Sequence, residues 1–210
     1  AFDADTTGVT IDGDALTGTN TLAFSATNLD RAITILGGAG ADTITDGAGA
    51  DSIVTNGGAD TVTLSGNGNN TVSTGAGADT IVAGTGNDSI DAGDDADTVT
   101  LTAGVNTLDA GAGADTITLG TGTDSVLSGA GADLIQAGAN LTVADTITGG
   151  TEADKLTVSN DTAVTDLDNV TQVETIELLD GNSFAYTISD GSAFDADTTG
   201  VTIDGDALTG

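Results

Sequence analysis

Oxygen-bearing side chains recur through the middle of the sequence at an almost constant interval. Ten of the twelve intervals between thirteen successive Asp or Asn residues are nine residues long: Asp42, Asp51, Asp60, Asn70, Asp79, Asp88, Asp97, Asn106, Asp115, Asp124, Asp133, Asp145 and Asp154. Carboxylate and amide oxygens suit hard cations, and calcium takes about six to eight oxygens in flexible geometry. We therefore predict that these residues bind calcium, with the amides Asn70 and Asn106 as the weaker ligands.

The residues around each candidate ligand form a nonapeptide, G-G-x-G-x-D-x-U-x, in which U is a large aliphatic residue. Residues 37–45, GGAGADTIT, are the first copy, and every later Asp or Asn also has Ile, Val or Leu two positions after it. Glycine tolerates positive φ, so its segment can turn tightly and direct carbonyl oxygens inward. The x-U-x part predicts a short strand with U in the interior. Two nonapeptides then complete one turn of a parallel β-helix, and a calcium ion between stacked turns gathers oxygens from both.

Residues 37–157 resemble the RTX (hemolysin-type calcium-binding) repeats of secreted bacterial proteins. The resemblance implies an all-β fold, a right-handed parallel β-roll or β-helix solenoid with calcium-loaded turns. It also implies calcium-triggered folding outside the cell, type I secretion, and an extracellular or cell-surface location. Residues 169–176 resemble segments that border such blocks in bacterial surface-layer proteins and large adhesins.

Since alternate repeats stack, the candidate ligands divide into two ladders. The first ladder is Asp42, Asp60, Asp79, Asp97, Asp115, Asp133 and Asp154, and the second is Asp51, Asn70, Asp88, Asn106, Asp124 and Asp145. Both amides fall on the second ladder, and the loops before Asn106 and Asp145 have lost their leading glycines. We expect full calcium occupancy on the first ladder and vacancies near Asn106 and Asp145. The alternative is Asx turns without metal, but carboxylates about 5 Å apart would then repel one another strongly.

The composition narrows the possible functions. The chain has 33 acidic residues against two basic ones, a formal net charge of -31, and no His or Cys. The lack of a basic patch excludes nucleic acid as a partner and disfavours an anionic membrane surface. Without His or Cys, and with only two basic residues, zinc and copper centres, catalytic triads and a lysine base are not expected. Paired carboxylates for glycoside chemistry remain an alternative, but calcium ligation explains the acidic residues better, so we expect no enzyme. Ion binding must offset charge repulsion and the entropy of a glycine-rich chain, so we expect a largely disordered metal-free state.

The flanks extend the solenoid with looser spacing. We predict N-terminal coils over 1–36, with strands near 8–11, 20–24 and 32–35, the calcium block over 37–157, and C-terminal coils over 158–192, with strands near 175–178 and 184–188. Residues 193–210 repeat residues 1–18 without a change. We interpret them as the start of a next tandem unit, so that each unit covers the end of its neighbour.

These patterns predict a calcium-stabilised structural unit of a bacterial extracellular filament, adhesin stalk or surface layer. Its expected partners are identical units end to end, joined covalently or head to tail, with lateral fibre or cell-surface partners as a further option. One alternative is an ice- or glycan-binding adhesin module, since Thr-x-Thr pairs such as Thr43/Thr45 would line one face. Another is the secretion and folding tail of an exported enzyme. Such a tail is not expected to carry a long tandem copy, so the identity of residues 193–210 with residues 1–18 disfavours this alternative.

Overall fold

A computed structural model describes residues 8–13, 16–27, 29–159, 167 and 169–179, and the backbone of 202–204. These residues form strands, turns and loops with no helix, and therefore no helix that could cross a membrane. The strands are β1 Val9–Asp12, β2 Ala23–Ser25, β3 Ile33–Leu36, β4 Thr43–Thr45, β5 Ser52–Val54, β6 Thr61–Thr63, β7 Thr71–Ala76, β8 Thr80–Val82, β9 Ser89–Asp94, β10 Thr98–Thr100, β11 Ala103–Gly104, β12 Thr107–Asp109, β13 Thr116–Thr118, β14 Thr121–Gly122, β15 Ser125–Ala130, β16 Leu134–Gly138, β17 Thr146–Thr151, β18 Lys155–Ser159, β19 Val170–Thr171, β20 Thr175–Leu179 and β21 Thr202–Asp204.

Two parallel sheets make up the solenoid. The nine-stranded sheet has the order β1-β3-β5-β7-β9-β12-β15-β17-β19, and the ten-stranded sheet has the order β2-β4-β6-β8-β10-β13-β16-β18-β20-β21. From β1 to β20 the chain alternates between these two sheets, apart from β11 and β14, which pair with each other in loops. The predicted all-β parallel solenoid is confirmed.

The core is a double column of aliphatic side chains. The U residue of each nonapeptide pairs with the U residue of the next turn, as Ile44 does with Val62 and Ile53 with Val72. All four of these side chains are buried. Since burying an aliphatic side chain contributes about 1.5–3 kcal/mol, this repeated contact holds the two sheets together. Parallel pairing with both U columns inside also fixes which residues remain at the turns.

The described flanks belong to the same two sheets as the calcium block. The predicted strands near 8–11, 32–35 and 175–178 appear as β1, β3 and β20. The strand predicted at 20–24 begins only at Ala23, because Asn20 lies in a turn and donates its Nδ2 to the Thr17 carbonyl. The strand predicted near 184–188 lies outside the described residues, as do half of 1–18 and most of 193–210. The domain boundaries remain predictions.

Candidate metal centres

The turns between the sheets form two edges of the solenoid. We call the connections from the nine-stranded to the ten-stranded sheet the first edge, and those in the other direction the second edge. The first edge carries the ladder that starts at Asp42, and the second edge carries the ladder that starts at Asp51. Each of the thirteen candidate ligands immediately precedes a strand, and each is between 1% and 3% exposed. The fold therefore brings the candidates together as two buried columns.

One side-chain oxygen of each candidate links consecutive turns. The backbone N–H of Asp42 donates to Asp60 Oδ1 at 2.7 Å, and that of Asp60 donates to Asp79 Oδ1 at 2.7 Å. The second edge follows the same rule, with Asp51 N–H donating to Asn70 Oδ1 at 2.8 Å. Hydrogen bonds from backbone N–H groups to carboxylates are among the stronger ones. These bonds hold each side chain in place and leave its second polar atom to face the loop.

That second oxygen has no hydrogen-bond partner at eight of the ladder residues. On the first edge these are Asp60, Asp79, Asp97, Asp115, Asp133 and Asp154, and on the second edge Asp88 and Asp124. A buried carboxylate oxygen without a partner is strongly unfavourable unless a cation pairs with it. The donor set therefore fits a bound metal ion.

Backbone carbonyls must complete the coordination of such an ion. Among the described residues, no three Asp, Glu, His or Cys side chains converge as a metal cluster. The backbone beside the first ladder is closely stacked: Gly93, near the end of β9, has a φ of 108°, and a Cβ there would lie under 3.0 Å from the Gly75 carbonyl oxygen. Gly111 and Gly129 stack on this column in the same way. Few carboxylates and many carbonyls suit calcium better than zinc or copper.

Burial raises the pKa values of five first-edge carboxylates, namely Asp60, Asp79, Asp97, Asp115 and Asp154. Desolvation is the largest cause, and it raises the pKa of Asp60, Asp115 and Asp154 to about 6. The pKa of Asp97 rises to about 7, because the nearby charges of Asp79, Asp115 and Asp95 add to desolvation. A carboxyl group so placed binds a proton readily, and a bound cation would reverse this preference.

The chain itself uses the second atom at three places on the second edge and at one place on the first edge, where Asp42 Oδ2 accepts from Gly38 N–H at 3.0 Å. Asn106 Nδ2 donates to Asp124 Oδ1 at 2.9 Å, and an amide nitrogen cannot bind a cation. Asp145 Oδ2 accepts from the backbone and hydroxyl of Thr142, at 2.7 and 3.1 Å. Asp51 Oδ2 accepts from Gly47 N–H at 3.4 Å. These contacts agree with the expected vacancies near Asn106 and Asp145, and calcium occupancy itself stays a prediction.

Backbone conformation separates the two edges as well. Among the described residues, positive φ occurs on the second edge only at Gly104, Gly122 and Gly138. On the first edge it occurs at Gly18, Asn56, Gly58, Gly75, Gly77, Gly93, Asp95, Gly111, Gly129, Gly131, Gly150, Glu152 and Gln172. Asp95 and Glu152 adopt the left-handed conformation in place of glycine, which indicates that the loop shape is enforced by stacking. From Asn56 onward, every described connection on the first edge therefore contains a left-handed residue, whereas the connection before Asp42 contains none.

Two acidic residues that the nonapeptide count missed belong to these edges. Glu174 Oε2 accepts from Asp154 N–H at 2.7 Å and so extends the first ladder by one turn. Its signal in the sequence is Ile176, two positions later. Asp46 is fully buried, Ser65 N–H donates to its Oδ1 at 2.5 Å, and its Oδ2 has no partner. Burial raises the pKa of Asp46 to about 6. It replaces the first glycine of its nonapeptide, which is the signal that could have revealed it.

Hydrophobic residues take the ligand position at the N-terminal end. Leu22 N–H donates to Asp42 Oδ1 at 2.7 Å, and Ile33 N–H donates to Asp51 Oδ1 at 2.9 Å. Leu22 and Ile33 therefore stand one turn before the first carboxylate of each ladder. The coils before residue 37 consequently stack through apolar contacts where the next turns carry carboxylates.

The model of a known family matches this part of the chain. It is the RTX calcium-binding nonapeptide repeat (4 copies), and it matches residues 34–63, 64–99 and 100–135. Residues 34–135 belong to the RTX calcium-binding repeat family. RTX nonapeptide repeats bind calcium, so the predicted resemblance and the predicted cofactor are both confirmed. Comparisons with curated proteins and with solved structures gave no match.

Proposed function

We propose that this RTX chain is a calcium-stabilised structural unit of a bacterial extracellular filament, adhesin stalk or surface layer, with no enzymatic activity. The observation that supports this most is the pair of ladders, which run along a continuous solenoid and leave eight buried carboxylate oxygens without a partner. Ions along both edges would fasten every turn to the next. A solenoid held in this way suits a stiff, elongated element.

Calcium has two effects in this proposal. Bound between turns, it neutralises carboxylates such as Asp79 and Asp97, whose burial otherwise opposes folding. Its binding free energy also offsets the conformational entropy of a chain with 32 glycines. Folding is then coupled to the calcium concentration. RTX repeat proteins are typically exported bacterial proteins, which supports an extracellular location where calcium is plentiful.

The proposed partners are identical units that stack end to end. Repeat solenoids expose a sheet end at each terminus unless something covers it. The identity of residues 1–18 with 193–210 indicates that the same sequence occurs at every junction. Lateral fibre or cell-surface partners are compatible with this arrangement, because the outer faces of both sheets remain exposed along much of their length.

The second candidate function is ice binding, which one feature of the ten-stranded sheet favours. Five threonines lie in register on consecutive strands of its outer face: Thr43, Thr61, Thr80, Thr98 and Thr116. Four of them are exposed and Thr116 is half-buried. A flat column of hydroxyl and methyl groups is a regular surface that could order water. A thermal hysteresis assay with the calcium-loaded protein tests this candidate. Freezing without thermal hysteresis would contradict ice binding.

Electron microscopy and circular dichroism, each with calcium and with a chelator, test the structural proposal. We expect a β spectrum and unbranched filaments or rods in calcium, and loss of both when the chelator is added. Restoring calcium should restore both. A folded β spectrum in excess chelator would contradict calcium-coupled folding. Because β21 of the same chain pairs with β20, assembly is tested with Ile203→Asp, and a calcium-folded Ile203→Asp chain that stays monomeric at high concentration would contradict end-to-end assembly.

A further inference from the structure

One sequence occupies two different sheets in this molecule. Residues 201–204 repeat residues 9–12, which form β1. In the structure β1 ends the nine-stranded sheet, where it pairs with β3, whereas β21 ends the ten-stranded sheet, where it pairs with β20. The two copies therefore lie on opposite sheets at opposite ends of the solenoid.

Both copies pair in the same register relative to the aliphatic columns. In β1, Ile11 pairs with Ile35 of the aliphatic column, and Val9 and Ile11 pack against the core. In β21, Ile203 pairs with Ile176, which is a fully buried member of the opposite column. Both pairings are parallel. The segment thus continues the ten-stranded sheet as readily as it begins the nine-stranded one.

From this pairing we infer how consecutive units join: the β1 edge of one unit stacks on β20 of a second copy, and the two units differ by a half turn about the solenoid axis. The inference rests on the proposed end-to-end assembly. Because β21 has the sequence of β1, its contact with β20 is that joint. The nine-stranded sheet of each unit then continues the ten-stranded sheet of its neighbour.

The half turn also exchanges the two edges. The first edge holds every connection from the nine-stranded to the ten-stranded sheet, so in the next unit it lies above the second edge of the unit before it. The first edge has six partnerless ladder oxygens and the second has two. The more heavily loaded edge therefore changes side at every joint, and calcium is distributed evenly around a filament although each unit is unequal.

Cysteine cross-linking can test the joint, since the chain has no cysteine of its own. Neighbouring strands lie about 4.8 Å apart, within the usual Cα–Cα range of a disulfide of about 4.4–6.8 Å. The segment within the same chain would compete for β20 because of its high effective concentration. The full chain is therefore used with Ile203→Asp, which introduces a charge into the strand that pairs with β20 and so frees the β20 edge.

Two cysteine pairs distinguish the two possible orientations. Thr10→Cys with Thr175→Cys reports β1 of one copy on β20 of another, which is the half-turn joint. Ala23→Cys with Thr175→Cys reports β2 on β20, which is stacking without rotation, because Ala23 and Thr175 share a column of the ten-stranded sheet. In calcium we expect disulfide-linked multimers from the first pair only, and adding Ile11→Asp should abolish them.

Every other result overturns the inference. Multimers from the Ala23 pair, from both pairs, or from neither mean that β1 does not select β20. Sedimentation of the Ile203→Asp chain without added cysteines separates this failure from that of the proposed function. Assemblies of this chain without the Thr10–Thr175 cross-link refute only the half turn, whereas the absence of any assembly refutes end-to-end stacking too. Circular dichroism in calcium checks that each variant folds.

Discussion

The two oxygens of each ladder carboxylate serve different purposes. In Asp97, Oδ1 accepts the Asp79 N–H at 2.7 Å and positions the side chain, while Oδ2 has no partner and faces the loop. Asn106 keeps the first role, since its Oδ1 accepts from Asp88 at 3.0 Å, but offers nitrogen at the second position. An Asp-to-Asn change therefore removes metal affinity and preserves the architecture.

Replacing Asp97 with Asn tests this division directly. Asp97→Asn should raise the calcium concentration needed for half-maximal folding and weaken the adjoining sites about tenfold or more, since even partners one shell further out are worth about 10–100-fold in metal affinity. Calorimetric titration with calcium measures it. The control is Asp91→Asn, an equal charge change at an exposed aspartate on the nine-stranded sheet. Equal effects from both variants would mean that calcium acts through general charge screening.

The raised pKa values predict a distinct pH response. Burial raises the pKa of Asp60 from 3.8 to about 6 and that of Asp97 to about 7 in the metal-free fold. Between pH 4 and 7 the folded chain therefore holds more protons than the unfolded chain, and its stability falls as pH rises. In chelator, β structure should increase on acidification from pH 7.5 to 4.5. The calcium concentration needed for half-maximal folding should rise as pH falls, because protons compete with calcium for the ladder carboxylates. Circular dichroism at several pH values measures both effects. A loss of β structure on acidification of the calcium-free protein would contradict the predicted pH response.

At the scale of the turn, close stacking leaves no space for a side chain at certain glycines. Gly111 has a φ of 97°, and a Cβ there would lie under 3.0 Å from the Gly93 backbone. Gly111→Ala should lower the free energy of unfolding in calcium by about 1–3 kcal/mol for the backbone strain alone. Displacement of the Gly93 carbonyl, which accepts from Ala112 N–H at 2.7 Å, should add to this loss. Gly57→Ala is the matched control, because its Cβ would meet its nearest atom at 3.6 Å, an ordinary contact. Thermal unfolding of both variants provides the comparison, and equal stability would show that the loops can separate.

Periodicity predicted the strands and the core well, and local exceptions account for what it missed. A constant nine-residue interval with an aliphatic residue two positions after each Asp leaves one register, so pairs such as Ile44 with Val62 follow from the sequence. The nonapeptide pattern missed Glu174 because it lies 20 residues after Asp154 and because its side chain is longer than that of Asp. The pattern missed Asp46 because it occupies the first glycine position of its nonapeptide. The separate use of Oδ1 and Oδ2 depends on the stacking distance of the turns, which the sequence does not state.

Across the whole molecule, two kinds of negative charge must be distinguished. Exposed carboxylates such as Asp91 contribute to the net charge of -31, and any added salt screens them. The partnerless oxygens of the ladders are buried and need an ion that sheds water and accepts an irregular shell of carbonyls. Calcium does so, whereas magnesium keeps several waters and demands a tight octahedron.

A comparison of salts at equal ionic strength follows from this distinction. Calcium should produce the full β spectrum, whereas magnesium should produce little and sodium chloride almost none, because neither fills the buried positions between turns. The measurement is circular dichroism after exhaustive chelation and dialysis, with each salt titrated separately. If sodium chloride folded the chain as completely as calcium, repulsion among exposed carboxylates would be the dominant barrier, and the ladders would be structural Asx turns. If only calcium folded the chain, the barrier to folding would come from the buried oxygens, which a spacing of 18 to 21 residues between successive turns aligns in each ladder.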